Sequence, residues 1–340
     1  MNVGFTYNVK KSAPSTDLAE QVDLEFDSID VINGIVKALE DLGHKVIMIE
    51  ADENAFLKLK ELKDEIDIVF NIAEGLRGDA RESQIPVYCE ALGIAYTHSG
   101  PTTHAISLDK EFTKLLLKGA GTVKVPSSHV VVSRSHQKLD DLSFPVIVKP
   151  NKEGSSKGIL DKNVVKDVKD LDQRIEEISE KFTKEVIVEE FIDGREFTVA
   201  VMGNTKRRVL PIIEQKFDFL PKNMNKIASF ELKWLYEDSL KDLSDAYDCP
   251  AKLDKKTEDE IVKTSIEICD ILDIRDCARI DYRLDSKGDL YFIEINSLPG
   301  INPDIKVISY FPLAARTAGI SFKDMVGEIL NLALERYDLI

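Results

Sequence analysis

Over the first hundred residues, short apolar runs typical of buried strands alternate with segments whose apolar residues recur at helical spacing. The predicted strands cover residues 3–7, 46–49, 66–71 and 95–97. Because parallel strands need a crossover connection, this alternation predicts a parallel, doubly wound sheet. Ligands bind beyond the carboxyl ends of such strands, so the polar turns at 8–27 and 74–81 are candidate parts of a site.

The length and the charge limit the class of protein. The 340 residues exceed the roughly 100–200 of one ordinary domain, which predicts two or three domains. With 45 basic and 61 acidic side chains the net charge is −16, so we expect neither nucleic acid nor an anionic membrane as a partner. We find no signal-peptide pattern and no apolar run near the ~20 residues that span a bilayer. The four cysteines lack C-x-x-C spacing, which favours reduced thiols and a cytoplasmic protein.

The rest of the chain predicts two further units that mix strands with helices. The second unit follows a helix and connector at 102–121, with strands at 128–132, 144–149 and 186–190 and a helix at 171–182. The third unit has strands at 197–202, 208–214, 277–284 and 290–296, and helices at 257–272 and 322–337. Within it, the polar and aromatic stretch 217–251 shows no clear period, which is typical of a functional lid or a disordered insert.

Residues 278–296 predict a β-hairpin, because two alternating runs flank a turn-rich loop. If Asp285 pairs with Leu290 across a four-residue loop, Asp281 lies opposite Glu294. The same register puts six side chains on one face: Arg279, Asp281, Arg283, Phe292, Glu294 and Asn296.

Opposed carboxylates on paired strands repel each other, and a divalent cation between them removes that cost. The oxygen ligands of Asp281, Glu294 and Asn296 suit Mg²⁺ or Mn²⁺ better than zinc. An ordinary hairpin with a solvated polar face is the alternative, and a slip of one residue would abolish the pairing. The turn-rich loop at 297–303 favours a metal and phosphate site beyond the strand tip.

Two more segments are candidates for nucleotide binding. A strand that ends at Lys149 runs into the small-residue loop 151–158, whose backbone N–H groups can surround phosphate oxygens. The loop has no Walker A spacing, and a flexible surface hairpin is the alternative. A second strand ends in Glu189 and Glu190, where backbone can bind adenine and acids can bind ribose, unless it is a solvated edge strand.

Together these segments resemble the ATP-grasp superfamily, and more narrowly the D-alanine–D-alanine ligases, over nearly the whole chain. The segments that carry the resemblance are 70–75, 92–100, 107–110, 144–156, 189–197, 279–281 and 294–300. The resemblance implies an N-terminal doubly wound parallel-sheet domain, the pre-ATP-grasp domain, followed by a two-domain ATP-grasp fold that closes on ATP. The implied ranges are 1–108, 109–195 and 196–340, with the metal site in the last.

The resemblance also implies residue roles. The implied nucleotide-binding residues are Lys110, Lys149, Ser155, Ser156, Glu189, Glu190, Phe191, Ile192, Glu196 and Lys233. Two Mg²⁺ or Mn²⁺ ions would be held by Asp281, Glu294 and Asn296. The implied catalytic residues are Arg279, which would stabilise the tetrahedral intermediate, Ser155 of the mobile phosphate loop, and Lys233 of the closing loop.

The amino-acid pocket departs from the family pattern. Glu25 and Asp27 are only approximate counterparts of the acid that holds the first ammonium group, and Glu74 stands where the family has histidine. The serine that binds the second carboxylate falls on Ile305, which predicts that D-alanine is a poor second substrate. The alternative is that neighbouring residues such as Asn302 and Lys306 replace the missing serine and leave dipeptide formation intact. The implied substrate-binding residues are Glu25, Asp27, Glu74, Arg279, Asn296, Gly300 and Ile305.

The expected activity is ATP-dependent formation of an amide from a carboxylate and an amine through an acyl phosphate. The substrates would be small amino acids or peptides, and the family likeness suggests a homodimer. A ligase for a different amino-acid or peptide pair is the main alternative. A non-catalytic ATP-binding module and a kinase that stops at a phosphorylated product also remain open.

Overall fold

The computed structural model describes residues 1–11, 23–132, 139, 142–183, 185–232, 236–237, 240 and 242–340. Within these ranges, no helix has both the length and the apolar character that a bilayer crossing requires.

The N-terminal unit is the predicted parallel sheet with helices. Its strands are β1 (Asn2–Tyr7), β2 (Lys45–Glu50), β3 (Ile68–Asn71) and β4 (Ala95–Tyr96), in the order β2-β1-β3-β4. Its helices are α1 (Ile29–Asp41), α2 (Ala55–Leu62), α3 (Gln84–Leu92) and α4 (Pro101–Leu108). The Ser28 side chain accepts a hydrogen bond from Val31 N and so caps α1. Since every pairing is parallel, the polar turns after β1 and β3 meet at one edge of the sheet.

The single helix expected at 102–121 is two helices. After α4, helix α5 covers Lys110–Ala120. The chain turns between them at Asp109, whose backbone is extended and whose carboxylate accepts a hydrogen bond from Phe112 N. The new cap starts α5 in a different direction, and this brings Lys110 and Lys114 to the neighbouring sheet.

The central unit is an antiparallel sheet with one long helix across it. Its strands are β5 (Ser128–Val132), β6 (Val146–Pro150), β7 (Val164–Val165) and β8 (Glu185–Glu190), in the order β5-β8-β6-β7, and the helix is α6 (Val168–Lys181). The inner strands β6 and β8 carry Lys149 and Glu189 as diagonal neighbours, since Glu189 pairs with Ile147 and Lys149 pairs with Ile187.

The third unit is built on the long antiparallel strands β9 (Gly194–Met202) and β13 (Cys277–Asp285). Its other elements are β10 (Arg208–Val209), β11 (Ile213–Gln215), β12 (Tyr247–Asp248), β14 (Leu290–Asn296), α7 (Lys255–Ile271), α8 (Tyr310–Thr317) and α9 (Phe322–Arg336). The strand predicted at 208–214 divides into β10 and β11, because Pro211 has no N–H for the ladder.

The polar end of the β13–β14 hairpin has the predicted register. Arg279 pairs with Asn296, and Asp281 pairs with Glu294 across the two strands. The prediction that two carboxylates face each other is therefore confirmed.

The turn end of the hairpin differs from the prediction. Leu284, not Asp285, pairs with Leu290, because a bulge shifts the register in the middle of the hairpin. The shift moves Phe292 away from the polar face, where the sequence placed it. Its ring packs edge-on against Tyr282, and both side chains are fully buried. Burial of a large aromatic ring in the core favours the bulged register over the regular one.

The largest hydrophobic core joins the first and third units. It contains residues of β1 and α1 together with residues of α8 and α9, among them Phe5, Ile35, Phe311 and Ile329. The C-terminal helices therefore cover one face of the N-terminal sheet, and the two units share their interior.

Candidate active site

A cleft opens between the central sheet and the strands β9, β13 and β14. It is lined by many of the predicted site residues: Lys149, Ser156, Glu189, Glu190, Phe191, Ile192, Glu196, Arg279, Asp281 and Glu294. Aliphatic side chains complete the walls, namely Ile147, Ile159, Ile227 and Ile293. The cleft therefore has an apolar slot beside backbone of the segment 189–192 and a charged end at the hairpin. A flat base with a phosphate chain attached fits such a shape.

A buried charge network holds the end of β8. Lys114 Nζ lies 2.6 Å from one oxygen of Glu189, and Lys149 Nζ lies 2.5 Å from the other. Burial alone raises the pKa of Glu189, but the two ammonium groups lower it to about 2. Burial lowers the pKa of Lys114 to about 8 despite the adjacent carboxylate. Glu189 is thus a fixed, buried anion in the cleft, whereas the sequence pattern suggested an acid placed for ribose hydroxyls or a solvated acid on an edge strand.

The loop after β6 has the backbone of an anion-binding turn. Ser155 and Ser156 both have positive φ, +48° and +59°, which is rare for residues with a side chain. Successive left-handed residues point their N–H groups inward, and strain of this kind is concentrated at functional sites. Ser156 Oγ donates to Ala228 O, which fixes the loop against the third unit. Ser155 itself is exposed at the loop tip.

Lys110 connects this loop with the hairpin. Its Nζ donates to Glu153 O at 2.6 Å and lies 3.8 Å from a carboxylate oxygen of Glu294. Burial is the main reason that the pKa of Lys110 is lowered. The ammonium group therefore lies between the phosphate loop and the predicted metal face, although Lys110 was predicted from sequence only as a nucleotide contact.

The hairpin face combines acids with one guanidinium group. Asp281 accepts a hydrogen bond from Thr198 Oγ1 at 2.8 Å and pairs with Arg279 Nη2 at 3.1 Å. The Arg279 Nε is buried and donates to no group among the residues that the structure describes. The paired carboxylates of Asp281 and Glu294, with the Asn296 amide on the same face, are oxygen ligands of the kind that Mg²⁺ prefers.

The structure also shows the limit of this metal assignment. In the described part of the chain, no three carboxylate, imidazole or thiolate side chains converge as a metal centre. Mg²⁺ in nucleotide sites is commonly held by one or two carboxylates plus substrate phosphates. The two acids of the hairpin fit that arrangement, in which the phosphates supply the remaining ligands.

The polar turns after β1 and β3 meet beside the phosphate loop. Glu25 pairs with Arg81 at 2.7 Å and accepts a hydrogen bond from Gly154 N at 2.8 Å. A Cβ at Gly154 would lie 2.3 Å from the same Glu25 carboxylate, so a side chain at this position would displace that carboxylate. Glu25 thereby links the first unit directly to the phosphate loop, and its partner Arg81 was not among the predicted site residues.

Three further acids surround this ion pair. Burial raises the pKa of Asp27 to about 7, and burial with the Glu25 carboxylate raises the pKa of Glu82 to about 7. Burial, Glu82 and Glu25 raise the pKa of Glu74 well above its ordinary value. The pocket therefore has more acids than cations. A substrate group with a positive charge would be stabilised there.

The loop after Gly300 brings a hydroxyl group near that glycine which residue spacing did not predict. Counting along the sequence put Ile305 in the place of a hydroxyl-bearing residue, but the Ile305 side chain is 67% exposed. The hydroxyl near Gly300 comes from Ser309, whose Oγ lies 3.2 Å from Gly300 O at the start of α8. The intervening loop folds back on itself, which sequence spacing alone does not reveal. Ser309, Ile305, Gly300 and Arg279 line one common cavity.

Some functional residues were missed, and one prediction lies outside the described residues. Lys233, predicted as a nucleotide contact and catalytic residue, is not among the residues that the structure describes. Lys114 could have been found, because it lies four residues after Lys110 and shares its helix face. No local sequence pattern marks Arg81, Glu82 or Ser309, because the loops that bring them to the site meet only in the folded chain.

Comparisons with known proteins agree with this geometry. Residues 122–331 match the family model described as the D-ala D-ala ligase C-terminus. A D-alanine–D-alanine ligase of Aquifex aeolicus is 30% identical over 298 residues, which cover 87% of this chain and 92% of that protein. The chain belongs to the D-alanine–D-alanine ligase family.

Two other known proteins are similar to this chain over nearly its whole length. An uncharacterised protein of Sinorhizobium fredii is 33% identical over 314 residues, covering 90% of this chain and 88% of that protein. The crystal structure of the Bacillus anthracis D-alanine–D-alanine ligase complexed with ATP superposes with a TM-score of 0.74. It is 23% identical and covers 100% of this chain and 99% of that one, so the fold is the ATP-grasp fold with an N-terminal parallel-sheet unit.

Proposed function

We propose that this protein is an ATP-dependent carboxylate–amine ligase that forms an amide bond through an acyl phosphate, as in D-alanine–D-alanine ligation. One observation carries the proposal. Lys149 and Glu189 of the central sheet line the same cleft as Arg279, Asp281 and Glu294 of the hairpin. Nucleotide-binding groups and groups suited to a developing acyl phosphate therefore face one space.

The nucleotide would lie with its base between the aliphatic walls and the segment 189–192, and with its ribose near Glu196. Lys110 and Lys149 would neutralise the phosphates, with the backbone of Ser155 and Ser156 closing over them. Lys233, on the stretch 217–251 predicted as a lid, would join them when the site closes. Exclusion of water is needed because an acyl phosphate hydrolyses.

Two Mg²⁺ or Mn²⁺ ions fit the Asp281, Glu294 and Asn296 face together with the phosphates. When bound, they would offset the negative charge on the triphosphate and on the group being transferred. The protein's own contribution is to fix the two carboxylates on paired strands, so that their mutual repulsion favours a cation.

The carboxylate of the first substrate would attack the γ-phosphate, and ADP would leave. Its ammonium group would lie in the acidic pocket of Glu25, Asp27 and Glu74, which adjoins the phosphate loop. The amine of the second substrate would then attack the acyl carbon while Arg279 stabilises the tetrahedral oxyanion. Release of phosphate leaves the amide.

Small amino acids are the proposed substrates, with D-alanine as the first choice for the acid because family relatives are named D-alanine–D-alanine ligases. A different amino-acid or peptide pair remains the second candidate, favoured by Glu74, Arg81 and Glu82 in the first pocket. We further propose a cytoplasmic protein, a homodimer, and domains that cover 1–108, 109–195 and 196–340.

Isotope transfer tests the mechanism. D-alanine labelled with ¹⁸O in its carboxylate is incubated with ATP and Mg²⁺, and phosphate, nucleotide and amide are analysed by mass spectrometry. We expect ¹⁸O in the released phosphate together with ADP and dipeptide. AMP with unlabelled phosphate would indicate adenylation, ADP without amide would indicate a kinase, and no ADP with any amino acid would indicate a non-catalytic module.

A further inference from the structure

A second cavity opens beside the nucleotide cleft. Its volume is about 740 Å³, and Arg279 and Tyr310 line both spaces. The two spaces therefore meet at the guanidinium that the proposed function places at the reacting carbonyl. Ligand pockets of about 300–1,000 Å³ hold molecules of drug size, so this cavity is much larger than alanine requires.

The inner end of the cavity can hold a carboxylate. Arg279 has a free Nε among the described residues, and its one hydrogen bond to a side chain goes to Asp281. Among the described residues, the Ser309 hydroxyl bonds only to backbone of its own loop, Gly300 O and Asn302 N, and it can rotate toward a ligand. These donors suit the carboxylate of an incoming amino acid.

The outer part of the cavity has an exposed apolar patch, and the polar side chains of Glu237, Asp242, Ser244 and Lys306 line the cavity around it. Ile305 is 67% exposed and Val307 is 46% exposed, and both line the cavity with Ile308 and Leu243. Branched aliphatic side chains next to each other in water are unfavourable, and an apolar ligand would remove that cost.

The loop that carries these side chains is held in place by its own hydrogen bonds. Asn302 Oδ1 accepts from Asp304 N at 2.9 Å, and Asp304 Oδ1 accepts from Lys306 N at 2.9 Å. Asp304 O also accepts from Val307 N. Two consecutive turns therefore present Ile305 and Val307 to the cavity rather than to the protein interior.

We propose that the amine substrate is an amino acid with an apolar side chain larger than methyl, and that this side chain fills the second cavity. The inference rests on the proposed ligase function and adds the class of its second substrate. Its carboxylate meets Arg279 and Ser309, and its side chain contacts Ile305 and Val307.

The reaction balances without a further reactant. The uncharged amine nitrogen of the second substrate forms a bond to the acyl carbon, and the bond from that carbon to the phosphate oxygen breaks. The electron pair leaves with phosphate, and the nitrogen loses one proton to solvent. Arg279 faces both the carbonyl oxygen and the cavity, so the acceptor side chain lies away from the nucleotide.

An acceptor series tests the inference. The enzyme is given ATP, Mg²⁺ and ¹³C-labelled D-alanine as the acid, with unlabelled D-alanine, D-valine, D-leucine or D-phenylalanine as the amine. Mass spectrometry identifies each mixed dipeptide, and ADP release gives kcat/KM. One methylene in an apolar pocket changes kcat/KM by about tenfold or more. We therefore expect D-leucine or D-phenylalanine to exceed D-alanine as acceptor by about tenfold or more.

The outcomes separate the two proposals. If D-alanyl-D-alanine forms and the larger acceptors are slower than D-alanine, the ligase function stands and the inference about the cavity is overturned. If no amide and no ADP appear with any acceptor, the proposed function fails, and the inference fails with it.

Variants of cavity residues, with a control at an equally exposed valine, test where the side chain of the amine substrate binds. Val307→Trp fills the cavity and should lower the ratio of kcat/KM for D-leucine over D-alanine by about tenfold. Val87→Trp changes a valine of the same 46% exposure on α3 and should leave the ratio unchanged. Ile305→Ala, which removes apolar contact without adding bulk, should lower the same ratio by about threefold or more. An unchanged ratio in both cavity variants would overturn the inference.

Discussion

At the scale of single residues, the site depends on charges that the fold has removed from water. Glu189 is 2% exposed and Lys114 is 2% exposed, so neither charge could be kept in the interior without the other. The network of Lys114, Glu189 and Lys149 therefore does two things. It satisfies three buried charges, and it fixes an anion at the end of the cleft where we propose that adenine binds.

Removal of the Lys114 charge tests this network. Lys114→Met keeps the length of the aliphatic chain, and it should destabilise the protein by about 3 kcal/mol because Glu189 loses one of its two cations. The KM for ATP should rise as well, since Glu189 is no longer held in one position. Urea unfolding and ATP titration provide the measurements. Lys118→Met, on the exposed part of the same helix, is the control and should change neither.

The acidic pocket predicts how stability depends on pH. Glu82 is 7% exposed, and its pKa is raised to about 7 by burial and by Glu25. Between the unfolded pKa of about 4.3 and a folded pKa of about 7, the folded state binds more protons than the unfolded state. The contribution of Glu82 to stability should therefore fall as the pH rises through this window. Asp27, with its pKa raised by burial to about 7, should contribute in the same direction.

Glu82→Gln removes the Glu82 part of that dependence. At pH 8 the variant should be more stable than the wild type by an amount on the order of 2 kcal/mol, whereas at pH 4 the two should be alike. Thermal unfolding across the pH range measures the difference, and the exposed Glu61→Gln is the control. The buried histidines His98 and His104 have pKa values lowered by burial to about 3, whereas their ordinary pKa is about 6.5. They are protonated on unfolding below about pH 6.5 and therefore make stability rise with pH in this window, so Glu82 is tested by the difference between the variant and the wild type. A difference that does not grow between pH 5 and pH 8 would contradict the assignment.

At the scale of elements, the β13–β14 hairpin shows how one bulge reconciles two requirements. At its polar end Asp281 and Glu294 face each other, and at its turn end Phe292 is buried against Tyr282. A regular two-residue alternation cannot meet both demands over this length. The extra residue of the bulge reverses the facing of Phe292 and leaves the polar pair unchanged.

The bulged and the regular registers of the hairpin predict different losses of stability when the neighbouring aromatic residues Tyr291 and Phe292 are replaced. Phe292→Ala should destabilise the protein by about 3–5 kcal/mol, because the structure buries that ring completely in the core. Tyr291→Ala should cost roughly 1 kcal/mol or less, since Tyr291 is half-buried at the surface beside Lys124. Chemical denaturation of both variants measures the pair. The regular register would reverse the order of the two effects.

At the scale of the whole molecule, Asp276 connects distant parts of the chain. It is fully buried, and it accepts hydrogen bonds from His98 N at 2.7 Å and from Asn204 Nδ2 at 3.1 Å. It pairs with Arg336 of α9 at 2.9 Å, and Arg336 also donates to Tyr96 O. One carboxylate thus joins the N-terminal sheet, the β9–β10 turn and the last helix, beside the shared core.

Loss of Arg336 should therefore affect the molecule as a unit. Arg336→Ala leaves the buried Asp276 without its cation and should destabilise the protein by about 3–5 kcal/mol. We expect a single, earlier transition when unfolding is followed both by fluorescence and by circular dichroism. Arg208→Ala removes the exposed partner of Glu328 and should cost less than about 1 kcal/mol. Separate transitions for the N-terminal and C-terminal units would show that the shared core does not couple them.

The sequence alone determined what local patterns encode. Apolar periodicity predicted the parallel sheet, α1, α7 and α9, and alternation predicted the polar register of the β13–β14 hairpin. The ordered motifs predicted the ATP-grasp fold and the family, which the comparisons confirm. These features were readable because each depends on neighbouring residues, through helix caps, strand alternation or turn chemistry.

Only the tertiary structure decided which distant groups meet. Glu25 reaches Gly154 across 129 residues, and Lys114 reaches Glu189 across 75. Ser309, not a residue counted from Gly300, has its hydroxyl group within hydrogen-bond distance of Gly300 O. Phe292 changes face because burial in a core made by several strands outweighs the local alternation. Contacts of this kind depend on packing between elements, and the spacing of residues along one chain does not contain that information.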